Sequence, residues 1–228
     1  MKVTSYLKPQ TGGFAFTPEN EEKAKGYVAR YPEGRQASAV IWLLYLAQKQ
    51  NGGHLTDEVV EYVAWYLEMA PIRVHEVVSF YTMLYTEPVG EHVIQVCRTT
   101  SCWLRGSDEI TKACLEASGV ERLGGTSSDG RFTVVEVECL GACCNAPMFQ
   151  VGDGDYYEDL TPDSARQVIE ALKRGERPAP GSQTGRLASL NEDGPTTLKD
   201  TFPKTAKGSA KSGAKKGDKS EGAGDAAG

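Results

Sequence analysis

The sequence has no apolar run long enough to cross a bilayer. Its longest, Ala39 to Ala47, is 9 residues, whereas a spanning helix needs roughly 20. Membrane association is therefore expected only through partners. Histidine is scarce, and His54, His75 and His92 are scattered, so each reads as a surface or packing residue rather than a base or ligand. No G-x-G-x-x-G follows a strand and no Walker-type loop occurs; Gly152-Asp153-Gly154 reads as a hairpin turn. The chain thus offers no recognisable site of its own for a dinucleotide, a flavin or a quinone. Met1 to Pro9 has neither the apolar core of a secretory signal nor the Arg-rich pattern of a transit peptide. That predicts a reducing compartment for the six cysteines, with thiol chemistry favoured over disulfides.

What is present suits a soluble globular chain. The 228 residues allow one large domain or two small ones, and 39% hydrophobic residues with 25 glycines give an ordinary apolar share. The net charge of −6 is uneven. Six lysines between Lys204 and Gly228 outnumber Asp218, Glu221 and Asp225, which leaves −9 for residues 1–203. An acidic body argues against a nucleic-acid partner. The rest of that tail is Gly, Ala, Ser and one Thr, too poor in apolar side chains to offset the entropy of ordering, so residues 204–228 are expected to be disordered.

The first third reads as helices. Thr17, Pro18 and the acids Glu19, Glu21 and Glu22 form a cap, a first-turn proline and a dipole-favoured first turn; that helix is expected to stop near Pro32. A second runs from Ala37 to the Asn51-Gly52-Gly53 stop. Apolar on nearly every face around Trp42, it is expected to be central. Thr56 caps a third, with Val59, Val60, Val63 and Leu67 on one face, and Pro71 opens a fourth running to about Tyr85. Four short-linked helices predict a small bundle over 1–88. Its aromatic pairs, Trp65-Tyr66 and Phe80-Tyr81, read as mostly core with one exposed anchor.

After Pro88 the period becomes alternating. His92 to Val96 reads as a strand. Ser107 is the expected cap of a helix with Ile110, Ala113, Cys114 and Ala117 on its apolar stripe, ended by Gly119. Phe132 to Val137 is a second strand, and Met148 to Val151 with Tyr156 to Glu158 a hairpin. A last helix starts at Thr161-Pro162-Asp163 and ends before Gly175. The order βαβ then ββα is the core plan of a thioredoxin-like domain. The expectation is an α+β chain: a helical bundle at 1–88, this domain at 89–176, an extended docking arm at 177–203 and the tail.

The βαβ unit has a chemical consequence. A crossover helix joins parallel strands, whose C-terminal ends share one sheet edge. The first strand runs into Cys97 and Cys102, the second into Cys139 and Cys143, so four thiols are expected to meet there. The spacings are C-x4-C and C-x3-C. Four soft thiolates suit an iron–sulfur cluster or zinc. Structural zinc usually takes tighter C-x2-C turns, and a redox disulfide wants C-x-x-C at a helix start. Simple core cysteines remain the plainest alternative. Cys114 lies on an apolar stripe and reads as a small core hydrophobe; Cys144 follows Cys143 directly and is expected to point away from the site. Gly141 and Ala142 can turn N–H groups toward sulfur. Arg98 and Arg105 read as solvated loop cations. Glu138 adds negative charge beside Cys139, and Glu138→Gln is expected to raise a redox potential there.

Four stretches carry a resemblance: FYTMLYTEPVG (80–90), VCRTTSCWLRGSDEI (96–110), DGRFTVVEVECLGACCNAPM (129–148) and YYEDLT (156–161). Together they are similar to the E-subunit family of NADH-quinone oxidoreductase, the small [2Fe–2S] component of respiratory complex I, over about residues 15–200. The resemblance implies a thioredoxin-like ferredoxin with one [2Fe–2S] cluster on Cys97, Cys102, Cys139 and Cys143. It implies single-electron exchange with FMN on a separate FMN- and NADH-binding flavoprotein subunit, beside a larger iron–sulfur subunit. It further implies a cytoplasmic place, peripheral to the bacterial inner membrane through the complex. Relatives also serve as diaphorase subunits of NAD-linked hydrogenases and formate dehydrogenases, and a zinc-stapled adaptor is the non-redox alternative. The lysine-rich tail and Cys144 depart from the family pattern without touching the ligand set.

Overall fold

The computed structural model describes residues 13–187 and 197–198. The tail at 204–228 and most of the arm beyond residue 187 lie outside the described residues.

Helix α1, Pro18–Val28, starts on Thr17, whose hydroxyl accepts the Asn20 N–H, and ends short of Pro32. A 3-10 turn, Gln36–Ala39, leads into α2, Val40–Gln50. Helix α3, Asp57–Tyr66, is capped by Thr56, which accepts the Val59 N–H. Helix α4, Pro71–Phe80, stops before Tyr85, because Tyr81 is already extended at φ −92° and ψ 105°. These helices share one hydrophobic cluster built on Leu43, Leu44, Val63 and Val74, all without solvent exposure. Trp42 departs from expectation: it is 46% exposed. Its ring stacks on Tyr27 at 5.5 Å, because Leu43, Leu44 and Ala47 already fill the buried face of α2. Among the paired aromatics, Phe80 is the exposed one, at 77%.

The second unit is a mixed five-stranded sheet in the order β2-β1-β3-β4-β5. Strands β1, His92–Cys97, and β2, Phe132–Val137, run parallel, with Ile94 opposite Val134 and Cys97 opposite Val137. The crossover between them contains a five-residue helix α5, Thr100–Leu104, and the longer α6, Ser107–Ser118. Strands β3, Phe149–Val151, and β4, Asp155–Glu158, form the antiparallel hairpin, with β3 also antiparallel to β1. Helix α7, Pro162–Lys173, follows. Strand β5, Gly181–Ser182, adds parallel to β4, so the start of the arm lies on this chain's own sheet.

Ser107 is not the cap of α6. The helix enters through Gly106 at φ 90°, a left-handed geometry that glycine adopts without steric cost. Ser107 is instead the first helical residue, and its Oγ is buried with no partner among the described residues. Gly119, at φ 73°, ends the helix as expected.

Gly90 allows the close approach that sets up the parallel pair. Its N–H donates to Thr133 Oγ1 at 2.7 Å, and a Cβ there would stand 2.7 Å from the Phe132 backbone. Arg131 ties the sheet to α7, donating to the carbonyls of Lys173 and Leu172 at 2.8 and 3.0 Å, where a cation suits a helix C-terminus. The start of α7 is a reciprocal capping box: Thr161 Oγ1 accepts the Ser164 N–H at 3.1 Å, and Ser164 Oγ accepts the Thr161 N–H at 2.8 Å. Thr161→Ala is therefore expected to lower unfolding free energy by about 1 kcal/mol, measured by chemical denaturation.

Candidate metal centre

Because β1 and β2 are parallel and in register from His92–Phe132 to Cys97–Val137, the loops that leave them start side by side. The first loop turns directly into α5. Cys97 ends β1 and Cys102 sits on α5, both 1% exposed. The second loop carries Cys139 and Cys143, both exposed. Cys143 opens a 3-10 turn, Cys143–Asn145. Behind the buried pair lie Ala146 and Met148, with Leu140, Ala142 and Tyr156 packed against them.

The four thiols converge as two linked pairs. Cys139 Sγ and Cys143 Sγ are 3.3 Å apart, and Cys97 and Cys102 are buried in one cluster. The Thr99 hydroxyl lies 3.4 Å from Cys97 Sγ and also favours the Cys139 thiolate. Ser101 favours the Cys143 thiolate. Among the described residues, no three His, Cys, Asp or Glu side chains gather around a point for a single metal ion. Cys114 is fully buried in the separate cluster of Ile94, Ile110 and Phe132, and burial pushes its thiol up to about 12. Cys144 is exposed.

Backbone and hydroxyl donors decide which thiols ionise most readily. Burial opposes ionisation of Cys97, but hydrogen bonds with the Thr99 hydroxyl, the Thr99 and Leu140 backbones and Cys102 hold it below the usual thiol range. Cys102 is pushed up to about 12, first by burial and then by its hydrogen bond with Cys97 and the charge there. Cys139 is lowered chiefly by the Gly141 N–H, 3.4 Å from its sulfur, and then by Cys143. Its partner Cys143 is raised, mainly by that same bond with Cys139. Within each pair one thiol is lowered and the other raised.

Gly141 fulfils its expected part, and its φ of 88° is what turns the N–H inward. The Ala142 carbonyl accepts the Asn145 N–H, and the Leu140 backbone favours the Cys97 thiolate. The Leu140 carbonyl is itself anchored by the Tyr156 hydroxyl at 2.8 Å. Arg98 lies between two carboxylates, 3.5 Å from Glu138 and 3.7 Å from Glu136. Thr99 and Ser101 escape sequence reasoning although they lie inside the C-x4-C loop. Their hydroxyls are legible as sulfur donors once the loop is known to wrap a thiol site.

The donor set fits a thiolate-held cluster: four sulfurs, N–H and hydroxyl groups directed at them, and an apolar floor.

Comparison with known proteins points the same way. The family model for thioredoxin-like [2Fe-2S] ferredoxins matches residues 24–173. The chain is 46% identical over 185 residues to the mitochondrial NADH dehydrogenase [ubiquinone] flavoprotein 2 of Dictyostelium discoideum, covering 81% of this chain and 74% of that protein. It is 49% identical over 160 residues to the E-subunit of the NADH-quinone oxidoreductase of Rickettsia bellii (strain RML369-C), covering 70% and 95%. Among solved structures, an NAD+-reducing [NiFe]-hydrogenase in the H2-reduced state aligns with a TM-score of 0.52 at 19% identity. That alignment covers 70% of this chain but only 28% of the hydrogenase chain, so the likeness is one of fold.

Proposed function

The chain belongs to the thioredoxin-like [2Fe–2S] ferredoxin family, and from that membership we propose that Cys97, Cys102, Cys139 and Cys143 hold its single cluster. The protein serves as the electron-transfer subunit of an NADH-quinone oxidoreductase. The observation that carries the ligand assignment is that the two cysteine pairs follow the adjacent ends of a parallel, in-register strand pair, with Cys139 Sγ 3.3 Å from Cys143 Sγ and the Thr99 hydroxyl 3.4 Å from Cys97 Sγ.

A bound [2Fe–2S] cluster supplies one-electron redox chemistry with no bond made or broken in a substrate. The chain's own residues do the rest. Cys97 and Cys102, backed by Met148 and Ala146, keep water from one side of the site. The Gly141 N–H and the Thr99 hydroxyl each lie 3.4 Å from a sulfur, and with Ser101 and the Leu140 backbone they favour negative charge there. The sequence carries no dinucleotide or flavin motif, so the electron partner is proposed to be an FMN- and NADH-binding flavoprotein subunit, beside a larger iron–sulfur subunit. Among the described residues no helix is long and apolar enough to cross a membrane, and the chain is proposed to work peripherally through its complex. Its division into a helical bundle at 1–88, a cluster domain at 89–176 and a docking arm at 177–203 is part of the same reading.

Anaerobic purification with metal and sulfide counts tests the assignment. Two irons and two acid-labile sulfides per chain are expected; one zinc without sulfide would refute it. A finer test concerns Glu138. Its ion pair with Arg98 is exposed and solvent-screened, and Glu138→Gln leaves the Arg98 charge less opposed. The midpoint potential is expected to rise by roughly tens of millivolts, since about 59 mV corresponds to about 1.4 kcal/mol for one electron. An EPR-monitored redox titration reads it.

A further inference from the structure

After α7 the chain returns to the sheet edge at β5 and then bends over the loop that carries Cys143. The route is fixed by successive hydrogen bonds. The Gln183 N–H donates to the Glu158 carbonyl at 2.9 Å. Ser182 Oγ donates to Asp159 Oδ2 at 2.6 Å and accepts the Arg186 N–H at 3.0 Å. This places the Arg186 guanidinium on three acceptors at once: the carbonyl of Cys144, Asn145 Oδ1 at 3.0 Å and the Asp159 carboxylate at 3.1 Å.

Each acceptor belongs to the turn that presents Cys143 or to what supports it. Cys144 is the next residue after Cys143. Asn145 is 2% exposed and is held on its other side, donating to Glu158 Oε2 at 2.7 Å. Asp159, with a side chain 8% exposed, sits at φ 52° and donates its N–H to the Asn145 carbonyl at 2.7 Å. A nearly buried carboxylate needs its counter-ion, so Arg186 and Asp159 hold each other in place.

We propose that Arg186 is a positioning residue of the metal centre: it clamps the Cys143–Asn145 turn from the arm and sets a positive charge one peptide from a ligand, thereby tuning the redox potential. The inference rests on the ligand assignment above. Reduction adds one negative charge to the site, so a cation there favours the reduced form and an unpaired Asp159 opposes it.

The test uses the full chain reconstituted with iron and sulfide, in wild-type form and as Arg186→Gln, Arg186→Lys and Asp159→Asn. Midpoint potential is read by EPR-monitored titration and cluster hold by the rate of iron release to a chelator. At the wild-type midpoint, the reduced-to-oxidised ratio of Arg186→Gln is expected to fall about threefold, equivalent to roughly 30 mV for one electron. Asp159→Asn is expected to move the ratio the opposite way, and Arg186→Lys to recover at least half the loss. Both neutral variants should release iron faster. Faster release with unmoved midpoints, or midpoints that shift in the same direction, would mean mere loosening and overturn the proposal. A wild-type chain that takes up no iron and sulfide would overturn the ligand assignment itself.

Discussion

A Cys102→Ala chain is expected to lose at least nine-tenths of its iron and acid-labile sulfide, with the visible absorption and the low-temperature EPR signal falling in step. Cys102 is the strongest test of the four proposed ligands because it is the one whose surroundings least suit a free thiolate. It is 1% exposed, on a five-residue helix, and burial pushes its thiol up to about 12. A buried group of that kind contributes a charged sulfur only when a metal compensates it. Alanine fits the same space, so the loss reports a missing ligand rather than a clash. Cys144→Ala, which removes an exposed thiol one residue from Cys143, is expected to leave the iron and sulfide content unchanged. Equal retention in both variants would mean that the thiols were assigned to the wrong positions.

The strand direction behind this proposed assignment is legible in the sequence. The alternating runs at His92 and Phe132 flank one amphipathic helix, and two strands joined that way run parallel; β1 and β2 do. Once their direction is set, the residues that follow them must share an edge. What escapes the sequence has a physical reason in each case. Helix α5 is five residues long, shorter than the span over which a helical period shows. Trp42 sits in an apolar run that looks the same from every side, so nothing local tells its exposed face from the face that Leu43, Leu44 and Ala47 bury. At Gly106 the chain comes out of one helix into the next with a left-handed residue, a junction that side-chain capping rules do not describe. Arg186 reaches a carbonyl 42 residues away, and no periodicity in a Pro- and Gly-rich arm marks such a partner.

The second large effect is expected from Phe132→Ala, which should cost the sheet unit about 3–5 kcal/mol through lost burial and an unfilled cavity. Phe132 opens β2, is without solvent exposure, and lies in the cluster with Ile94, Val134, Phe149 and Tyr157. Its ring packs against His92, its register partner on β1, at 5.3 Å. The backbone beside it is also the surface on which Gly90 closes, so relaxation into the cavity is restricted on that side. The helices α1–α4 have their own cluster, built on Leu43, Leu44, Val63 and Val74. The most prominent ion pair joining them to the β3–β4 turn, Lys49 to Asp153 at 2.6 Å, is solvent-exposed and couples weakly. If residues 1–88 and 89–176 are separate folding units, Phe132→Ala should split thermal unfolding in two. In a Trp103→Phe background, which removes the tryptophan on α5, fluorescence from Trp42 and Trp65 in α2 and α3 should then report a transition near the midpoint of the same chain without Phe132→Ala. Strand-sensitive circular dichroism should report one lower by tens of degrees, given the roughly 4–8 °C per kcal/mol of a domain this size. A single transition lowered equally for both probes would show that the helices and the sheet fold as one body and would remove the boundary at 88/89.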